Sequence, residues 1–381
     1  MKKIAFLTGS RGEWGYIRPI LRLIEEMDDA EYCLIVTNMH LLPDYGSSYK
    51  EIEADGFTIH HKIHMYLGGD SHFTQAKSLG ICLNSLPDIL DMERPDWLVL
   101  AGDRGEQLMG AVAAAYTYTP TAHIQAGELS GNIDGMARHA IGKFVHVHFA
   151  ANEDARQRLI RLGEEEFRVH NVGAPQLDEL VANEYTDIAE LERKYSIRLQ
   201  EGFILAVMHP VTEESARSTE AGKAFIEALN QFPMPKIVIA PNNDTGSSGI
   251  CHAINNFRRG EYHVFSNMKR TDYLGCLRNC TCIAGNSSSG LLEAPTFGVP
   301  AVNIGRRQDM RVRGRNVIDV ADYNKEDIVN AVRRAIAPAF RAELLQNPDN
   351  PYGDGHSSEK ILDILMNTQA DDRLLVKRLT Y

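Results

Sequence analysis

Runs of β-branched and aliphatic residues that give way at once to a short polar cluster constrain this chain more than any other feature. The clusters are Gly9-Ser10-Arg11, Gly102-Asp103-Arg104-Gly105-Glu106, Gln125-Ala126-Gly127-Glu128, His209-Pro210-Val211-Thr212 and Gly285-Asn286-Ser287-Ser288-Ser289-Gly290. An open parallel sheet binds its ligands outside the carboxyl ends of its strands. A chain that repeatedly ends a buried strand in Gly with an acid, a His, an Arg or a Ser is therefore building one site from many loops. That is how an enzyme reads.

Strand patterns fall at 4–8, 32–37, 97–101, 122–125 and 145–150, with helical spacing at 17–27 and 107–118 between them. A second series has strands at 203–208, 236–240, 262–265, 282–284 and 301–304, and helices at 215–230, 288–297 and 325–336. Strand–helix alternation with right-handed crossovers gives parallel sheets. At 381 residues the chain exceeds what one core usually fills. The expected class is α/β, with two doubly wound parallel-sheet domains facing each other across a cleft. The first spans 1–173 and the second 174–355, with a polar joint near 174–200. The breaker Pro351-Tyr352-Gly353-Asp354-Gly355 precedes a last helix, 356–381, expected to pack back on the first domain.

Charge narrows the partners. The formal net charge of −11 argues against nucleic acid, whose binders need a basic surface. One basic spot stands out: Arg306, Arg307, Arg311, Arg313 and Arg315 fall within ten residues. A solvated loop is the plainer account, though five arginines beside a strand end could hold an anion. The start, Met1-Lys2-Lys3-Ile4-Ala5-Phe6-Leu7, stops at Thr8-Gly9 without a cleavage-type sequence and reads as a strand, and no apolar run is long enough for a membrane span. Six cysteines lack paired metal spacing; reduced, buried thiols and a cytoplasmic location are expected. His60, His61 and His64 alternate poorly for one face, so no metal is expected there.

Gly9-Ser10-Arg11-Gly12-Glu13-Trp14-Gly15 spaces its glycines G-x-x-G-x-x-G, which is not the dinucleotide fingerprint, and G-x-x-x-x-G-K-[ST] is absent. A redox cofactor or a P-loop triphosphatase is therefore not expected. A loop feeding a helix can still seat phosphate, with Arg11 adding a fork of donors. Asp103, Glu128 and Asp134 could each be a helix cap or an ordinary loop acid. Together they read as carboxylates converging on one cleft, where like charges push apart their pKa values and yield an acid and a base. His209, at a strand end before Pro, is poorly explained as core and suits proton transfer or support of a departing phosphate. Gly285 to Gly290 resembles an anion seat of N–H and O–H donors, and Glu293 could grip ribose hydroxyls.

These segments, in this order, resemble the UDP-N-acetylglucosamine 2-epimerase family, and more closely its hydrolysing branch, used in making sialic and related nonulosonic acids. The resemblance runs from Thr8-Gly9-Ser10-Arg11 through Gly102-Asp103-Arg104, His123-Ile124-Gln125-Ala126-Gly127-Glu128 and Gly131-Asn132-Ile133-Asp134. It continues through Arg138-His139-Ala140-Ile141, His209-Pro210-Val211-Thr212 and the 285–290 segment to about residue 320. Ala126 departs from a common Gly, and Gln125 from a common His. The resemblance implies a GT-B-like pair of Rossmann domains, the second binding nucleotide, with no cofactor and a homodimer or homotetramer. It also implies loss of the C2 proton with departure of UDP, a 2-acetamidoglucal intermediate, then addition of water at C1 and reprotonation of C2. On this reading UDP-N-acetylglucosamine and water give N-acetylmannosamine and UDP. Asp103 and Glu128 would handle the protons, Asp134 would orient or share one, and His209 would aid departure of the diphosphate. Arg11, Arg138, Asn286, Ser287, Ser288, Ser289, Gly290 and Arg306 would hold the nucleotide, and Glu293 the ribose. The alternatives are the same hydrolysing reaction on UDP-N,N'-diacetylbacillosamine, a non-hydrolysing 2-epimerase, a GT-B glycosyltransferase of the same architecture, and a pure nucleotide-sugar sensor.

Overall fold

The computed structural model describes every residue except 70, 347, 348, 379 and 381. Seven strands form the first sheet: β1 (Lys2–Thr8), β2 (Ala30–Thr37), β3 (His61–Ile63), β4 (Trp97–Ala101), β5 (Thr121–Ile124), β6 (Val147–Ala150) and β7 (Val169–Asn171). Six form the second: β8 (Ile204–Val207), β9 (Lys236–Ile239), β10 (Tyr262–Phe265), β11 (Cys282–Gly285), β12 (Ala301–Ile304) and β13 (Val317–Val320). The orders are β3-β2-β1-β4-β5-β6-β7 and β10-β9-β8-β11-β12-β13. Pairing is parallel on both sides of β1 and on both sides of β8. The expected pair of doubly wound sheets is what the chain forms.

Each strand order reverses once, between β1 and β4 and between β8 and β11. Loops diverge at such a point and leave a crevice. Four of the five polar clusters sit there, after β1, β4, β8 and β11, and the fifth follows β5. Period-two alternation explains why the central strands are apolar throughout. Ile4 and Phe6 pack on one face with Trp14, Ile17 and Ile361. Ala5 and Leu7 pack on the other with Cys82, Leu86, Ala111 and Ile141. The helix Arg11–Glu25 begins with a capping box, in which Ser10 accepts from the Glu13 amide and the Glu13 carboxylate reaches back.

The chain's last part crosses to the first sheet. Ile361, Leu362, Leu365 and Leu374 join its core. Lys2 Nζ donates to the carbonyls of Leu365 at 3.0 Å and Met366 at 2.7 Å, and Trp97 Nε1 donates to Leu365 O at 3.1 Å. Arg168, buried, donates to Arg373 O at 2.7 Å. The single helix expected over 356–381 is two pieces, Ser357–Asn367 and Asp372–Leu375, and residues 379 and 381 lie outside the described residues.

Other boundaries differ for identifiable reasons. The strands β3, β7 and β13 have three or four residues and lie at sheet edges, where little apolar pattern is needed. The helix His72–Glu93 carries Gly80 and Pro87 inside it, and these masked its period. The helix expected at 288–297 is a single α-turn, Ser289–Leu292, then a 3₁₀ turn, Ala294–Phe297; Pro295 cannot donate to a continuing α-ladder. Among the described residues, no helix is long and apolar enough to cross a membrane.

Candidate active site

A cavity of about 210 Å³ opens between the two sheets' carboxyl ends, lined by both halves of the chain. From the first come Arg11, Glu13, Tyr16, Asp103, Arg104, Ser130 and Asp134; from the second come His209, Arg270, Ser287, Ser288, Ser289, Arg307 and Arg311. Direct bonds tie the halves together around it. Arg11 Nη1 donates to Ser266 O at 3.0 Å and Asn267 Oδ1 at 3.1 Å. Arg104 reaches Asp244 at 3.1 Å and Asn243 Oδ1 at 2.9 Å. Arg311 Nε donates to Leu129 O at 3.1 Å.

The acids divide into two environments. Asp103 follows Gly102, which turns the chain at φ +84°. It does not cap the following helix; Arg104 holds that position. Asp103 pairs with fully buried Arg138, accepts from Ser130 Oγ at 3.3 Å, and lies 3.7 Å from Arg311 Nη2. Burial alone would raise its carboxyl, but Arg138, Arg311, Arg307 and Arg104 outweigh burial and hold it below the ordinary value. Asp134, in the first turn of the helix Ile133–Phe144, accepts from Asn132 Nδ2 at 2.8 Å. Burial, then the charges of Asp103 and Asp244, push it up to about 7. One cleft thus holds an ionised carboxylate beside a carboxyl poised near neutrality.

Glu128 lies one layer back and is not among the cavity's lining residues. Its carboxylate is 3.5 Å from Arg311 Nε, 4.0 Å from Arg138 Nη1, and accepts from Asn152 Nδ2 at 3.0 Å. Arg138 likewise touches the acids and does not face the cavity. The two guanidiniums connect Glu128 to Asp103, while Asp134 stands apart from them on Asn132; two of the expected trio, Asp103 and Asp134, line the cleft.

On the opposite wall His209 is held by Asn286, whose Oδ1 accepts from His209 N at 2.7 Å and whose Nδ2 donates to His209 O at 2.8 Å. Asn286 therefore clamps the histidine backbone, and it does not line the cavity. Burial, then Arg307, Arg11 and Arg104, push the His209 imidazole well below its ordinary value. Its Nδ1 accepts the Asn242 backbone N–H at 3.1 Å, so the neutral ring carries its proton on Nε2. The serines 287–289 line the cavity, but the α-turn they open is four residues long. Their hydroxyls, with Arg11 and Arg307, supply the donors that a longer helix dipole would otherwise provide.

Three further expected contacts fall elsewhere. Gly290 packs on β12, where an added Cβ would meet Ala301 Cβ at 3.2 Å. Glu293 accepts from Arg270 Nη2 at 2.5 Å and sits behind it, so Arg270 presents the charge to the cavity. Arg306 pairs with Glu214 at 2.8 Å, away from the cavity, and its neighbour Arg307 turns inward. Tyr16 and Arg270 carry no signal in the sequence; Arg104 lies in the polar cluster after β4, and the crowding of arginines over 306–315 points to Arg307 and Arg311. Among the described residues one His/Cys/Asp/Glu group could share an ion: Cys33, His61 and Glu93, at the far edge of the first sheet. There His61 already bonds Glu93 at 2.7 Å, and Lys3 bonds it at 3.1 Å.

Residues 22–366 match the model of the UDP-N-acetylglucosamine 2-epimerase family. The chain belongs to that family. It is 35% identical over 379 residues to the UDP-N,N'-diacetylbacillosamine 2-epimerase (hydrolyzing) of Legionella pneumophila, covering 99% of each chain. It is 33% identical over 377 residues to a UDP-N-acetylglucosamine 2-epimerase of Neisseria meningitidis, covering 97% of this chain and 96% of the relative. A solved UDP-GlcNAc 2-epimerase from Neisseria meningitidis, bound to UDP-GlcNAc, superposes with a TM-score of 0.80 at 18% identity, covering 97% of this chain and all of that one. The structural likeness establishes that this epimerase-family chain has the same two-sheet fold. The family model and the two closely matched sequences establish the membership.

Proposed function

We propose that this epimerase-family chain is a hydrolysing 2-epimerase of a UDP-2-acetamido sugar, of which UDP-N-acetylglucosamine is the simplest. The observation that carries the reading is the pairing of Asp103, held ionised, with Asp134, held near neutrality, in one cavity with His209 and the serines 287–289. Inversion at C2 with loss of UDP needs a group that takes a proton and one that returns it, on different faces of the ring. Asp103 takes the C2 proton as the C1–O bond to the diphosphate breaks. His209 Nε2–H, Arg11, Arg307 and the serine hydroxyls steady the charge that builds on the leaving group. Asp134 then gives its proton to C2 of the unsaturated sugar as water adds its oxygen to C1; the water's surplus proton passes to Asp134, which is restored, and Asp103 releases the proton it took to solvent. Glu128 acts through Arg138 and Arg311, fixing Asp103. The relative named for hydrolysis supports release of the free sugar. A glycosyltransferase of the same fold would need the diphosphate seat but no such acid pair.

The test is product analysis in D₂O. Free UDP and a free C2-inverted sugar carrying deuterium at C2 are expected; a C2-inverted sugar still joined to UDP, or no C2 deuterium, would overturn the reading. A pH prediction goes with it. Asp134 is raised to about 7, so its acid form is present below that value and lost as pH rises through it. Asp103 is lowered and stays ionised across the same range. From pH 5 to 9, kcat/KM is therefore expected to fall about tenfold per unit above pH ~7, and the fall is expected to vanish in Asp134→Asn. A wild-type profile flat to pH 9 would remove Asp134 from the proton-returning role.

A further inference from the structure

A second, smaller cavity of about 50 Å³ adjoins the first, and Arg104 and Asp134 line both. Met65, Leu67 and Leu79, from the segment after β3 and the helix His72–Glu93, give it an apolar part, beside a polar part that includes Ser71, Ser78, Glu106 and Asp244. Its opposite side holds Thr245, whose Oγ1 donates to Gln75 Oε1 at 3.1 Å. That bond fixes the Gln75 carboxamide and leaves its Nε2, a donor, without a partner among the described residues. The neighbouring amides are already committed to other partners: Asn38 Oδ1 accepts from Asn243 Nδ2 at 2.7 Å, and Asn38 Nδ2 donates one of its two hydrogens to Glu106 at 3.0 Å.

We infer that this annex is a subsite for an acetamido group of the sugar, an inference that rests on the epimerase reading above. A carbonyl oxygen would accept from Gln75 Nε2, and a methyl would cover the apolar part. A hydroxyl could satisfy the donor but would leave Met65 and Leu79 against water. The doorway at Asp134 puts the annex beside the carbon that loses and regains its proton. Two sources share this chemistry: the acetamido at C2 that every substrate of this reading carries, and a second one at C4 of a 2,4-diacetamido-2,4,6-trideoxy sugar.

The experiment uses the full chain with Gln75→Leu, which removes the donor at similar volume, and Leu67→Trp, which fills the annex from a side chain 40% exposed. kcat/KM is measured on UDP-N-acetylglucosamine and on the UDP-2,4-diacetamido sugar, with inhibition by UDP as the control. Each variant is expected to lose at least ~10-fold, the scale of one misfitted methyl or unmade hydrogen bond, while inhibition by UDP moves less than about twofold. Equal losses on both substrates assign the annex to the C2 acetamido; a loss confined to the diacetamido sugar assigns it to C4. Unchanged kcat/KM on both, or a parallel loss of UDP binding, overturns the annex alone. If the unaltered protein releases UDP from neither sugar nucleotide, the epimerase reading falls and takes the subsite with it.

Discussion

Asp103→Asn is expected to lower kcat by at least ~100-fold, the lower end of what a general acid–base group contributes, or about 2.7 kcal/mol of barrier. The amide keeps the volume and can still accept from Ser130, but it cannot take a proton from C2. Arg138 and Arg311, which hold the native carboxylate ionised, cannot make an amide basic. UDP binding is expected to survive, because the donors assigned to the diphosphate lie on other loops, at Arg11, Arg307 and the serines 287–289. The check is a pair of measurements on one preparation: the rate of UDP release, and UDP affinity by calorimetry. Turnover within tenfold of the unaltered protein would remove Asp103 from the chemistry. Loss of both turnover and UDP affinity would mean that the carboxylate organises the cleft instead.

Much of this site was legible because parallel-sheet folds place function at strand ends, and strand ends are where apolar runs stop. Asp103 and His209 could be read that way, each two residues past a buried strand. What could not be read was depth. Glu128 and Asp103 stand in equivalent sequence settings, yet one lies behind Arg138 and Arg311 and the other reaches the cavity, a difference that appears only in the tertiary packing around the two arginines. Arg307 and Arg306 show the same limit, since adjacent residues in a loop point apart and only the positions of Glu214 and the cleft decide which is which. Tyr16 faces the cavity from inside an amphipathic helix, where an aromatic residue passes for core. The long helix His72–Glu93 escaped for a different reason: Gly80 and Pro87 break the local signal, while tertiary packing of Cys82, Leu86 and Leu90 against Ala5 and Leu7 holds the helix together.

Arg138→Met is expected to destabilise the protein by about 3–5 kcal/mol, the usual cost of removing one partner from a buried ion pair. Methionine fills much of the space, so cavity formation is a minor part of the loss. The greater part is electrostatic: Asp103 loses its direct partner, Glu128 loses the more distant of its two arginines, and Arg311 alone faces both acids at 3.7 and 3.5 Å. This predicts a direction with pH. In the native protein Asp103 titrates below its ordinary value only because its arginines outweigh burial. With Arg138 gone, the largest of the four charges that oppose burial is lost, and the folded-state value is expected to rise above that of the unfolded chain. A group raised in this way contributes its stability at low pH and loses it as pH climbs through the folded value. Urea unfolding at pH ~4, about the value of an unfolded Asp, and at pH 8 should therefore show the larger deficit at pH 8. Equal deficits at both values would mean that Arg138 stabilises by packing and not as the counter-ion of Asp103, and the account of why Asp103 stays ionised would fall with it.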